Sequence, residues 1–218
     1  MMKEKAGVVF SIAKDNAPVP FCTISKSVST GKNSIAYFSL AADTDISAES
    51  HPKRKILLVA DGDLEVYSRE GERGVLKEGE FILLRSGITA GSRSNSGTVY
   101  TEITLEKEDI MNQTIKAGEV FKLADLLPYQ DGKIVNMDIV KGEGMKFALL
   151  SFGEGTGLSE HAAPGEAIVF ALDGKAIIGY EGKEYPIQAG ENCHFAKGGR
   201  HYVKADGRFK MALLLTLE

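Results

Sequence analysis

The chain has 218 residues, 43% of them apolar, with 26 Lys and Arg against 30 Asp and Glu, a balance that fits a globular protein of one large or two small domains. Its formal net charge of −4 requires no broad basic face, so nucleic acid is not the partner to expect. Two cysteines, Cys22 and Cys193, far apart and without Cys-x-x-Cys spacing, suggest neither a disulfide framework nor a zinc ribbon.

The opening stretch from Met1 to Phe10 lacks a long apolar segment, and no run approaches the roughly 18 apolar residues of a membrane span. A cytoplasmic protein with reduced thiols and no membrane partner is expected. Short apolar or alternating runs then follow one another, punctuated by Gly, Asp and Asn, as in Ile56 to Ala60 before Asp61-Gly62 and Ala167 to Leu172 before Asp173-Gly174. This is the pattern of many short strands. Asp173-Gly174, Glu181-Gly182 and Glu70-Gly71 are expected to form hairpins, because glycine accepts the positive φ such turns need. Helical periodicity is weak, its best candidate being Leu123 to Tyr129, which Pro128 would cut.

Shifting the sequence on itself by 111 or 112 residues aligns its landmarks. Gly7-Val8-Val9-Phe10 falls on Gly118-Glu119-Val120-Phe121, Asp61-Gly62 on Asp173-Gly174, Gly79-Glu80 on Gly190-Glu191, and Ile103-Thr104-Leu105-Glu106 on Leu215-Thr216-Leu217-Glu218. Two all-β halves are expected, 1–109 and 110–218, each a barrel or two-sheet jelly roll.

Three of the four histidines lie between Gly157 and His201. Here His161, Pro164-Gly165-Glu166, an apolar strand and Asp173-Gly174 precede Ala189-Gly190-Glu191 and Gly198-Gly199-Arg200-His201. This order resembles the two sequence motifs of the cupin superfamily, and with the repeat the whole chain resembles a duplicated cupin. The resemblance implies two tandem cupin barrels and, in the C-terminal one, a site where three His and one Glu would hold a divalent metal. Carried over by position, the second half keeps His161 and His201 and has Ala163 and Ala167 at the other two places; the first half has Glu49, His51, Lys55 and Ala90. His161-Ala162-Ala163-Pro164-Gly165-Glu166-Ala167 and Arg208-Phe209-Lys210-Met211 also resemble small single-domain cupins of the "cupin 2 conserved barrel" type.

From these residues the C-terminal barrel is expected to carry the pocket, and the N-terminal barrel to be structural with a degenerate Glu49, His51, Lys55 cluster in which Glu49 satisfies the lysine. His161 and His201 are the primary candidates for ligand or metal binding. Neutral imidazoles suit Zn, Ni, Fe or Cu, the superfamily admits Mn as well, and His194 is the candidate third donor. Lys197 and Arg200 flank His201 in a glycine-rich turn, and Arg200 is placed to receive an anionic ligand. Glu166 and Glu160 are expected to point away from the interior by strand alternation. Cys193 reads as a packed thiol. The function expected is small-molecule binding, with pairing into a homodimer. The alternative is a metal-dependent cupin enzyme of oxygenase, isomerase or decarboxylase type acting on an oxygenated small molecule, and a metal-free histidine base of the sugar-epimerase kind is a further enzymatic version.

Overall fold

The computed structural model describes residues 2–69 and 73–217, so the turn expected at Glu70-Gly71 lies outside the described residues. Strands dominate, and helical structure among them is confined to one turn at Ile12–Asp15 and a 3-10 turn at Leu123–Asp125, shorter than the segment expected there. Among the described residues no helix is long and apolar enough to cross a membrane.

The chain divides into two compact units that are not contiguous in sequence. One comprises 2–11, 109–112 and 123–217; the other comprises 12–108 and 113–122. They differ from the expected halves by an exchange of the segments that open each repeat. Val9–Phe10 pairs with Cys193 and Asn192, while Val120–Lys122 pairs with Ile82, Phe81 and Glu80. The matching glycines anchor both segments alike: Gly7 donates its N–H to the His194 carbonyl, and Gly118 to that of Leu83. Both acceptors occupy the same position of the repeat, 111 residues apart.

In the N-terminal unit the principal sheet runs Val120–Lys122, Glu80–Leu84, Arg54–Ser68, Thr98–Leu105, Ile35–Leu40 and Thr23–Ser29. Thr44–Ser50 and Thr89–Ser94 pair beside it, and Thr89–Ser94 returns to the far end of Arg54–Ser68. The C-terminal unit repeats the plan with Asn192–Phe195, Glu166–Tyr180, Arg200–Thr216, Met145–Phe152 and Ile134–Lys141, and Gly157–Ala162 lies beside Arg200–Thr216. Each unit is a sheet curled over an apolar interior. Alternation along each strand delivers one set of side chains inward, such as Leu57, Val59, Leu84 and Tyr100 in the first unit, and Ala167, Val169, Phe195 and Met211 in the second.

Asp173-Gly174, expected as a hairpin, is a bend inside the 15-residue strand Glu166–Tyr180, with register shifts on both sides of it. Gly174 has φ +75°, and a Cβ there would overlap the carbonyl oxygen of Arg208. Its counterpart Gly62 bends Arg54–Ser68 with φ +77° against the Gly97 carbonyl. A glycine that permits both the left-handed backbone and the close approach lets one strand turn a corner without ending. Glu181-Gly182 does form the expected hairpin, between Glu166–Tyr180 and Lys183–Gln188.

Pairing register also corrects the alignment of the last strand. Ile56 faces Ile103 and Ile168 faces Leu214, so Ile103 is the counterpart of Leu214 rather than of Leu215. A slip of one residue exchanges the two faces of a strand. Corrected, Tyr100 matches Met211 and Glu102 matches Leu213.

Candidate functional site

His161 and His201 come together as the motif spacing predicts. They are directly paired across Gly157–Ala162 and Arg200–Thr216, and their ring centroids lie 4.3 Å apart. His201 is buried and His161 exposed, so the pair runs from the interior of the C-terminal unit to its surface. Each ring has its Nδ1 at a backbone carbonyl, Ser159 at 2.9 Å for His161 and Gly199 at 3.1 Å for His201. A neutral imidazole bonded in this way carries its proton on Nδ1 and its lone pair on Nε2. Burial pushes His201 below its ordinary pKa, with His161 adding to the effect and the Gly199 carbonyl opposing it.

The remaining residues do not complete a metal centre around this pair. Ala163 and Ala167 belong to the packed apolar interior, where neither methyl is a donor. His194 is not brought to the pair: Phe195 stacks on His201 at 4.0 Å, and alternation turns its neighbour His194 to the opposite face. There His194 Nδ1 meets the Glu4 carbonyl and Nε2 meets Glu166, both at 2.7 Å. Both of its ring nitrogens are thus engaged on the face away from the pair. Among the described residues no group of three or more His, Cys, Asp or Glu is arranged to hold a metal ion. A resident catalytic zinc has about three protein ligands, so the two imidazoles do not fit the four-donor set.

Arg200 is exposed, and its guanidinium is held by Glu160 through Nε at 3.0 Å and Nη2 at 2.7 Å. Glu160 and Arg200 lie on one face and His161 and His201 on the other, so the arginine is not directed at the pair. Glu166 points away from the interior as expected, onto His194. Lys197 is exposed. Cys193 is a free, buried thiol whose pKa burial pushes up to about 12, which makes it unreactive.

The N-terminal unit, expected to be structural, carries a partly open cavity of about 140 Å³ lined by Glu49, His51, Lys55, Tyr100 and Glu102 with apolar walls including Phe38, Leu84 and Ala90. Its existence follows from the repeat. Glu49 faces Ala90 in the register in which His161 faces His201, and Lys55 faces Leu84 in the register in which Ala167 faces Phe195. Where Phe195 and His201 stack and fill the C-terminal interior, Leu84 and Ala90 leave it open. Space of this size admits a guest as large as benzene.

Lys55 does not pair with Glu49. Its Nζ lies 2.9 Å from Glu102 Oε1, and both side chains are mostly buried. Leu57 faces Glu102 and Lys55 faces Thr104, so lysine and glutamate are diagonal neighbours on one inward face, whereas Glu49 belongs to a strand paired with Thr89–Ser94. His51 lines the same cavity and feels charges of both signs. Burial and then Lys55 push its pKa below the ordinary value, against Glu102, a hydrogen bond to the Ala90 carbonyl, and Glu49. Tyr100 stacks on Phe38 at 5.1 Å, and burial pushes its hydroxyl pKa up, so it stays a phenol.

Residues 148–217 match the cupin domain family. The fold is the cupin fold. Over 99% of both chains it superposes on a "cupin 2 conserved barrel domain protein" from Leptotrichia buccalis, with a TM-score of 0.88 at 24% identity. AerE from Microcystis aeruginosa follows at TM-score 0.56 and 17% identity, over 92% of this chain and 98% of that one. Oxalate decarboxylase from Bacillus subtilis, a cupin-fold neighbour with Mn(II) centres, gives 0.55 and 12% over 98% and 78%. Among curated proteins no match is found.

Glu102 was missed by sequence reasoning because the slipped alignment of the last strand placed it out of phase. The signal was present: Tyr100 and Glu102 are two residues apart in a run that otherwise reads as strand, and so share a face.

Proposed function

We propose that this chain is a small-molecule-binding cupin whose binding chamber is the interior of the N-terminal barrel. The observation that carries this reading is the cavity of about 140 Å³ onto which Glu49, His51, Lys55 and Glu102 converge. A concave, mostly apolar space with a few convergent polar groups and a perturbed histidine is the physical description of a ligand site. The metal-enzyme alternative has less behind it, since His161 and His201 lack a third protein donor. Oxalate decarboxylation, the activity named for the Bacillus subtilis neighbour, requires attraction of a dianion; two carboxylates against one ammonium in this cavity oppose that.

The test is a fragment screen by thermal shift on the wild-type chain and on Leu84→Phe, which places in the chamber the residue its C-terminal counterpart carries. Fragments that bind the chamber raise the melting temperature of the wild type and leave the variant unmoved. Fragments that stabilise both equally would refute the location.

A further inference from the structure

The chamber's own chemistry specifies what it accepts, and the following inference rests on its being the binding site. Its charged lining consists of Glu49, Glu102 and Lys55. Lys55 and Glu102 neutralise one another at 2.9 Å. That leaves the Glu49 carboxylate, which is exposed at the cavity's edge and has no ion-pair partner among the described residues. His51, hydrogen-bonded to the Ala90 carbonyl through one ring nitrogen, offers the lone pair of the other while neutral, and burial favours the neutral ring.

Glu49 and His51 both present acceptors, the Ser92 and Tyr100 hydroxyls face each other, and the charged lining of Glu49, Glu102 and Lys55 carries one net negative charge. An acidic guest would face Glu49 and Glu102 with the ammonium already engaged. An alcohol would satisfy one acceptor and leave the charge unmet. A protonated amine supplies three N–H donors and the compensating charge, and its alkyl part meets Phe38, Leu57, Leu84 and Ala90. We infer that the N-terminal chamber selects a small organic amine, bound as the ammonium with its head at Glu49 and His51 and its alkyl group against the apolar wall. At the equivalent positions of the C-terminal unit His161 replaces Glu49, and Phe195 and His201 stack in the space.

Three probes of equal size distinguish the possibilities: butylammonium chloride, 1-butanol and sodium butyrate, each titrated into the full-length chain while backbone amide NMR signals of residues 90–92 are followed. Butylammonium is expected to shift these signals saturably, with 1-butanol about tenfold weaker or more and butyrate weakest, the gap being that of a charge-assisted hydrogen bond. Glu49→Gln, a change at an exposed residue, is expected to keep the spectrum of the folded protein and bring the amine down to the level of the alcohol. Equal or tighter binding of 1-butanol or butyrate at these amides, or an amine preference that survives Glu49→Gln, overturns the ligand class and leaves the chamber standing. Failure of all three probes to move these amides overturns the chamber itself, and the inference with it.

Discussion

Lys55 meets Glu102 at 2.9 Å on an inward face where the equivalent positions of the C-terminal barrel are Ala167 and Leu213. The same fold thus tolerates either an ion pair or two apolar side chains at this spot. The pair is mostly buried, and removing one member strands the other in a cavity that cannot solvate it well. Lys55→Met or Glu102→Leu alone is expected to cost about 1–3 kcal/mol, and the double substitution less than either single one. Urea unfolding of the four proteins measures the cycle. Additive costs would mean that the charges do not depend on each other.

Cavity and filled core trade places through two positions. Phe195→Leu with His201→Ala gives the C-terminal barrel the residues the N-terminal barrel has at Leu84 and Ala90, removing the stack of Tyr180, Phe195 and His201. A cost of about 2–4 kcal/mol is expected, since the surrounding sheet relaxes only partly around a void. The variant should also take up xenon in its C-terminal unit. Wild-type stability, or no uptake, would show that the two aromatic rings are not what closes that interior.

How much of this was legible beforehand depended on which physical signal carried it. The contact of His161 and His201 followed from motif spacing, and the hairpin at Glu181-Gly182 from its turn residues. Asp173-Gly174 carries the same turn chemistry as a hairpin, yet serves a corner inside one strand, because the approach of Arg208 that demands glycine is made by a strand distant in sequence. The open chamber was illegible for a related reason. A void is the difference between side chains that meet only after folding, and it took the pairing of Ala90 with Glu49 and of Leu84 with Lys55 to show that small residues converge there. His194 looked suitable by proximity to His201 in sequence; alternation and its contacts with Glu4 and Glu166 decide against it.

The N-terminal segment is expected to depend on that histidine. His194 is almost fully buried between Glu166 and the Glu4 carbonyl, and the adjoining Gly7 is bonded to the His194 carbonyl. Glu166→Gln weakens a short charge-bearing contact, for which a loss of about 1–2 kcal/mol is expected. Hydrogen exchange should quicken at the amides of residues 7–10 ahead of the rest of the C-terminal unit. Uniform acceleration throughout that unit would show that the contact serves the barrel as a whole and not the segment.

Acid should weaken the N-terminal barrel through His51. The folded-state pKa lies below the ordinary 6.5, first because of burial and then because of Lys55, so between the two values the unfolded chain binds more protons than the folded one. The sign is therefore fixed: the contribution of this residue to stability is complete above pH 6.5, and it falls as pH drops through that value toward the folded-state pKa, where the imidazole must either charge inside the chamber or force it open. His51→Gln removes the titration while keeping a polar side chain, and its melting temperature should decline less than that of the wild type between pH 7.5 and about 5. Parallel declines in the two proteins would mean that His51 titrates alike in folded and unfolded chains, and that the chamber does not hold it neutral.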